Sequence, residues 1–204
     1  MASFDIKNLF TNIPLHETID IICDKLFPDP SSNILGLTLS YFKTFLELSV
    51  LNSFFLFNNK FYRQIEGLGM GLPLGPTFAN IFMCYHEENW LSDCPEDFKP
   101  LFYKRYIDDT FLLFEDQSHV PLFLTYLNSK HVNINFTFET EQNNILSFLD
   151  CEIHRLDNKF HSSVFRKNSF TGLGSVFSFS NLRFYFCDHF LKTMVFAHPF
   201  LIKF

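Results

Sequence analysis

The stretch "FYKRYIDDTFLLFED", Phe102 to Asp116, sets two adjacent carboxylates, Asp108 and Asp109, inside a run of aromatic and aliphatic residues. The residues on either side have strand character, so the run predicts a hairpin with the acidic pair at its turn. An ionised carboxylate buried without a partner costs more than a domain can spare. The pair is therefore either an exposed acidic turn, a common setting for Asp, or part of a site that receives positive charge.

Upstream, "SFDIKNLF" places Asp5 in a second apolar strand, and "TNIP" then offers turn or cap chemistry, with Pro14 suited to the first turn of a helix. Helices are expected over "LHETIDIICDKLF", "ILGLTLSYFKTFLELSVL", "TFANIFMCYHEENWL" and "VPLFLTYLNSK". A tight hairpin is expected at Asn58-Asn59, since asparagine tolerates positive φ. A glycine- and proline-rich loop, "LGMGLPLGP", precedes the third of these helices. "HVNINFTFETE" alternates as a strand does, and "NNILSFLDCEIHR" and "KFHSSVFRK" read as two strands joined at "LDN". The tail from Phe184 reads as helical. This order is βαββαβ with insertions: an α+β fold in which helices pack on one face of an antiparallel sheet, followed by a C-terminal β-hairpin and helix.

In such a sheet the first strand neighbours the central hairpin, so Asp5 converges with Asp108 and Asp109 despite its distance in sequence. Three carboxylates at one sheet edge repel each other unless a cation sits among them. Oxygen ligands with no His or Cys at suitable spacing favour Mg²⁺ or Mn²⁺. Two such ions can clamp both sides of a phosphoryl displacement.

The chain has 204 residues, 47% hydrophobic and 19% charged, enough for one ordinary domain with a sizeable core and incompatible with disorder. Its 30 phenylalanines follow no single periodic face and read as core filling. No apolar run reaches the roughly 18 uncharged residues of a spanning helix, and the N-terminus lacks signal-peptide order. The expectation is an intracellular protein with no membrane partner. The five cysteines form no C-x-x-C pair, so reduced and mostly buried thiols are expected, and zinc is not. "HEEN" at His86 lacks a second His four residues on, and His154 and His161 read as strand-surface residues. The net charge of −6 divides into −11 over residues 1–154 and +5 over residues 155–204. The basic end suits either a polyanion or plain solvation.

"RYIDDTF" resembles the Tyr-x-Asp-Asp motif of reverse transcriptases, "FDIKNLFTNIP" their first palm motif and "GMGLPLGPTFAN" their second. The wording of these three and of "ILSFLDCEIHR" is similar to Penelope-like retroelement reverse transcriptases, from Ser3 to about Gly172. The resemblance implies a polymerase palm in residues 1–154. It implies a primer-grip hairpin and partial thumb, or a short helix-turn-helix-like segment, in residues 155–204, with no fingers region. The implied activity is RNA-directed DNA synthesis on an RNA template and DNA primer from deoxynucleoside triphosphates, in the nucleus, with oligomeric state open. A fragment that binds nucleic acid without turnover is the alternative.

The resemblance makes Asp5, Asp108 and Asp109 catalytic and, with the Ile6 carbonyl, ligands of two Mg²⁺ or Mn²⁺ ions. It makes Phe10 either a gate against a 2′-hydroxyl or a core phenylalanine. Met70 and Gly71 lie at the nucleotide, as does Asn80 unless it is an ordinary helix-surface residue. Pro73, Gly75, Arg105, Tyr106, Arg155, Lys159, Arg166 and Lys167 fall to nucleic-acid contact, and Gly71 and Gly75 are expected to adopt unusual φ/ψ. Glu139 and Glu141 stand where many such polymerases carry a basic general acid.

Overall fold

The computed structural model describes residues 1–29, 31–156 and 159–164. In chain order the elements are β1 (Ala2–Ile6), a short helical turn α1 (Leu9–Asn12), α2 (Leu15–Leu26), β2 (Asn33–Ile34), β3 (Leu37–Thr38) and α3 (Leu39–Val50). They continue with β4 (Phe54–Phe57), β5 (Lys60–Arg63), α4 (Gly75–Ser92), β6 (Phe102–Tyr106), β7 (Asp109–Leu113) and α5 (His119–Asn128). The last are β8 (Phe136–Thr140), β9 (Ile145–Phe148), β10 (Cys151–Leu156) and β11 (Lys159–Val164). Two compact units result: one from Met1–Asp5, Pro100–Val120 and the chain from Phe138, the other from Ile6–Lys99 and Pro121–Thr137.

The central sheet has strand order β6-β7-β1-β8, which is the order a βαββαβ chain takes when its first strand lies between the hairpin and the last strand. β7 pairs antiparallel with both β6 and β1. At one end of β1 the Glu141 N–H donates to the Met1 carbonyl, and at the other the Lys7 N–H donates to the Asn135 carbonyl, so β8 also runs antiparallel. Alternation fixes which face is core: Ala2, Phe4, Thr110 and Leu112 are buried. A second sheet, β11-β10-β9, contributes Leu146, Phe148, Leu149, Cys151 and Ile153 to a cluster with Phe111. The Phe111 and Phe148 rings meet edge to face at 5.5 Å, and burying each ring is worth roughly 2–3 kcal/mol.

Thr110 carries a cost in this core, because its fully buried hydroxyl has no hydrogen-bond partner among the described residues. An unpaired buried hydroxyl destabilises by about 1–3 kcal/mol. Thr110→Val keeps the branched strand shape and is expected to stabilise the chain by about 1 kcal/mol, read as a higher urea midpoint. A loss of stability instead means the hydroxyl has a partner.

The other unit is helical. Ile19 and Ile22 of α2 are buried, as are Phe78, Phe82, Met83 and Trp90 of α4, the spacing of a core-facing stripe. Asn128, ending α5, receives the Phe136 N–H on Oδ1 at 2.7 Å and donates Nδ2 to the Phe136 carbonyl at 3.2 Å, fixing where β8 begins.

Several local expectations hold. Asn58 and Asn59 both take positive φ between β4 and β5, and the aspartates stand at the β6–β7 turn. Cys23, Cys94 and Cys151 are buried free thiols; Cys84 is an exposed one. Others need correction. The helix expected from Ile34 starts only at Leu39, because Leu35 (φ 53°) and Gly36 (φ 79°) close a two-residue turn between β2 and β3. The single strand expected over "NNILSFLDCEIHR" is the hairpin β9–β10, turned at Leu149 (φ 49°) and Asp150 (φ 63°). Pro14 is the residue before α2 rather than inside its first turn. The expected C-terminal helix, the "LDN" joint at residues 157–158, Arg166, Lys167 and Cys187 lie outside the described residues. No helix among the described residues is long and apolar enough to cross a membrane.

Candidate active site

The site begins with strand register. Asp5 lies directly opposite Asp109 in the β1–β7 ladder, and Asp109 lies opposite Tyr106 in the β6–β7 ladder. Side chains opposed across antiparallel strands share a face, with Cβ atoms about 4.5–5.5 Å apart. Tyr106, Asp109 and Asp5 thus form one row, on the face opposite buried Phe4 and Thr110. At a separation of about 5 Å and an effective dielectric near 20, two carboxylates repel by about 3 kcal/mol. Water at the exposed Asp5 weakens that repulsion, and a cation near the row would relieve it further.

Asp108 occupies the turn that joins the two strands. The residue before it, Ile107, has φ 58°, a left-handed conformation that is costly for a β-branched side chain. Arg105 Nη1 donates to the Ile107 carbonyl at 2.9 Å and holds this bend from within the hairpin. The Asp108 carboxylate makes no hydrogen bond or ion pair with any described residue. Asp5, Asp108 and Asp109 do not bring even one oxygen each within 4.8 Å of one another, a spread that mutual repulsion favours in the absence of a cation. An all-oxygen set of this kind, with the Asp108 carboxylate unpartnered among the described residues, fits a hard divalent cation. Ile6, the last residue of β1, adjoins Asp5 and is 1% exposed.

Residues of the helical unit form a separate constellation. Asn8, with φ 51°, turns the chain out of β1 into α1. The Leu68 N–H donates to the Phe10 carbonyl at 2.7 Å, which ties the first motif to the glycine-rich loop. Phe10 is half-buried, its ring edge 3.9 Å from where a Cβ on Gly75 would lie. Met70 is 88% exposed, Gly71 has φ 93° with open space around it, and Pro73 and Asn80 are exposed. Asn80 Oδ1 accepts a long contact from Cys84 Sγ at 3.6 Å.

One expectation changes here. Gly71 has the unusual φ expected of it, but Gly75 begins α4 with ordinary helical geometry and room for a Cβ, so its backbone does not require glycine. Arg155, still half-exposed, also meets partners within the chain: its guanidinium lies 2.6 Å from Glu141 and 3.1 Å from Asn144. Lys159 is exposed and makes no ion pair with a described residue. The reading also missed Gly67. Its φ is 71°, and a Cβ there would stand 2.3 Å from the Thr11 carbonyl oxygen. The signal was the same glycine run, two glycines before Gly71.

An antiparallel βαββαβ sheet with opposed carboxylates beside an acidic hairpin turn is a polymerase palm. A family model described as reverse transcriptase (RNA-dependent DNA polymerase) matches residues 1–174, and the chain belongs to that family. Among solved structures, telomerase from Candida albicans in complex with the TWJ fragment of telomeric RNA is similar, with TM-score 0.60, 14% identity and coverage of 93% of this chain and 34% of that one. Apo telomerase from Candida tropicalis is similar with TM-score 0.60, 13% identity and coverage of 78% and 31%. Its form truncated from the C-terminal domain gives TM-score 0.57, 14% identity and coverage of 79% and 35%. At these identities the likeness is one of fold, and this chain spans about a third of the length of those telomerase chains. No curated protein matches it.

Proposed function

We propose that this chain is the palm portion of an RNA-directed DNA polymerase of the Penelope-like retroelement kind, acting in the nucleus. It extends a DNA primer along an RNA template from deoxynucleoside triphosphates. The observation that carries this reading is the register that opposes Asp5 to Asp109 with Asp108 at the adjoining turn.

Asp5, Asp108, Asp109 and the Ile6 carbonyl would hold two Mg²⁺ or Mn²⁺ ions. When bound, these ions supply charge neutralisation at the phosphates and acidify the primer hydroxyl. The chain's own part is to place that charge. The rigid ladder fixes Asp5 and Asp109 against each other. The turn held by Arg105 presents Asp108, and Tyr106 lends a hydroxyl beside them for the primer terminus. As the primer oxygen bonds to the α-phosphorus, the bond to the β-phosphate bridge breaks and pyrophosphate leaves. Gly71 lets backbone approach the incoming nucleotide, with Met70 and Asn80 beside it. Pro73 stiffens the loop that meets the template, where Gly75 opens the following helix. Lys159, Arg166 and Lys167 supply phosphate contacts.

The test is primer extension on an RNA template with each divalent ion, beside salt-dependent binding of the primer–template duplex. Ion-dependent incorporation supports the reading. Salt-sensitive binding without incorporation, unchanged in Asp108→Asn, supports a non-catalytic binding remnant instead.

Phe10 is assigned to exclude a 2′-hydroxyl from the nucleotide sugar. Phe10→Ala should raise ribonucleotide use relative to deoxynucleotide use by about 100-fold, since the discrimination is steric and lies in one ring. The check is the ratio of kcat/KM values. A ratio unchanged from that of the parent chain returns Phe10 to plain packing.

A further inference from the structure

His86 on α4 has no histidine near it in sequence, yet the fold supplies one. His86 Nε2 lies 2.9 Å from Glu17 Oε1, and His131 Nε2, just beyond α5, lies 3.2 Å from Glu17 Oε2. The three ligand atoms fall within 4.8 Å of one another, and no other set of three His, Cys, Asp or Glu side chains among the described residues does so. They come from three segments: the first turn of α2, the middle of α4 and the loop after α5. Aromatic rings wall the site. Trp90 stacks on His86 at 5.2 Å, and Phe82 meets His86 at 4.5 Å and His131 edge-on at 5.2 Å. The imidazoles are 14% and 13% exposed and Glu17 39%, so the set is sheltered but open on the carboxylate side.

We propose that Glu17, His86 and His131 form a zinc site in the helical unit, distinct from the carboxylate centre, with water as fourth ligand. Two imidazoles and one carboxylate are a recurring zinc donor set, and Zn–N and Zn–O bonds of about 2.0–2.1 Å put tetrahedral donors about 3.3 Å apart. The 2.9 and 3.2 Å separations, each to a different Glu17 oxygen, are of that order, and rotation of the carboxylate would bring one oxygen to the ion. Without metal, each Nε2 carries a proton donated to the carboxylate, which only accepts. The Asn133 N–H, donating to His131 Nδ1 at 3.1 Å, fixes the same tautomer there. Zinc binding moves each proton from Nε2 to Nδ1 and none is lost. It breaks the Asn133 contact, and Asn133, exposed in its turn, passes its N–H to water. The bound ion cross-links α2, α4 and the loop after α5, and a metal held by the folded state alone raises its stability.

The test uses the full chain, stripped with chelator, exposed to Zn²⁺ in excess Mg²⁺ and desalted for metal analysis. One zinc per chain is expected, with a melting temperature that rises with Zn²⁺. His86→Gln and His131→Gln should each weaken binding at least about tenfold. In Glu17→Gln the amide oxygen accepts from His131 and the amide N–H donates to His86 in its other tautomer, so the variant should lose zinc while melting close to the parent chain in chelator. Co²⁺ in the site should show tetrahedral d–d bands without a thiolate charge-transfer band. Substoichiometric zinc, equal uptake by His131→Gln, or a thiolate band from a site at Cys84 each overturns the proposal.

Discussion

Asp108→Asn should lower primer extension by at least about 10³-fold and leave the fold intact. The substitution keeps side-chain volume and removes one negative charge from a turn where the carboxylate has no partner among the described residues. The folded state therefore loses no hydrogen bond and sheds some repulsion from the Asp5–Asp109 pair, so thermal stability should be unchanged or slightly higher. The loss in rate comes from the transition state, where charge at the phosphates is greatest and a missing ligand is felt most. A 10³-fold fall is about 4 kcal/mol of transition-state stabilisation. Divalent-ion affinity, followed with Mn²⁺ as a paramagnetic probe, should fall by about tenfold or more, a readout that needs no turnover. A variant that bound Mn²⁺ as tightly as its parent, or that extended a primer at the parent rate, would remove Asp108 from the centre and with it the polymerase reading.

The acidic hairpin was legible in the sequence because local chemistry determines it: two strands, a two-residue turn and a charge that a core cannot hold. Asp5 was reachable by one further step, since strand order in a βαββαβ sheet follows from chain order. The Asn58-Asn59 turn announced itself through residues that tolerate positive φ. The turns at Leu35-Gly36 and Leu149-Asp150 did not, because a leucine in a left-handed conformation is imposed by the pairing around it and has no propensity signature. Arg155 looked free because its partner Glu141 lies fourteen residues upstream, on the far side of the β9 strand. The same limit hid His131: it meets Glu17 across 114 positions, and spacing rules see only neighbours along one helix. Contacts set by register were readable, and contacts set by packing between distant elements were not.

Gly67→Ala should cost about 4 kcal/mol, more than alanine at Gly71 or Gly75. Two separate penalties combine. At φ 71° an alanine sits in the left-handed region, and its Cβ would meet the Thr11 backbone at 2.3–2.6 Å, where no side-chain rotation can give relief. Left-handed backbone and overpacking each contribute about 1–3 kcal/mol. The remaining route is for residues 67–68 to move away from α1, which breaks the Leu68 N–H bond to the Phe10 carbonyl. Neighbouring glycines calibrate the measurement. Gly71→Ala has the positive φ but open space, so about 1 kcal/mol is expected. At Gly75 the added Cβ meets nothing closer than 3.8 Å at a helical position, so alanine should be neutral or stabilising by up to about 1 kcal/mol. Urea unfolding of the three variants should therefore rank them 67, 71, 75 from most to least damaged. If Gly67→Ala lost under about 1 kcal/mol, the seam between the first motif and the glycine loop would be softer than this geometry, and Phe10 could not owe its position to it.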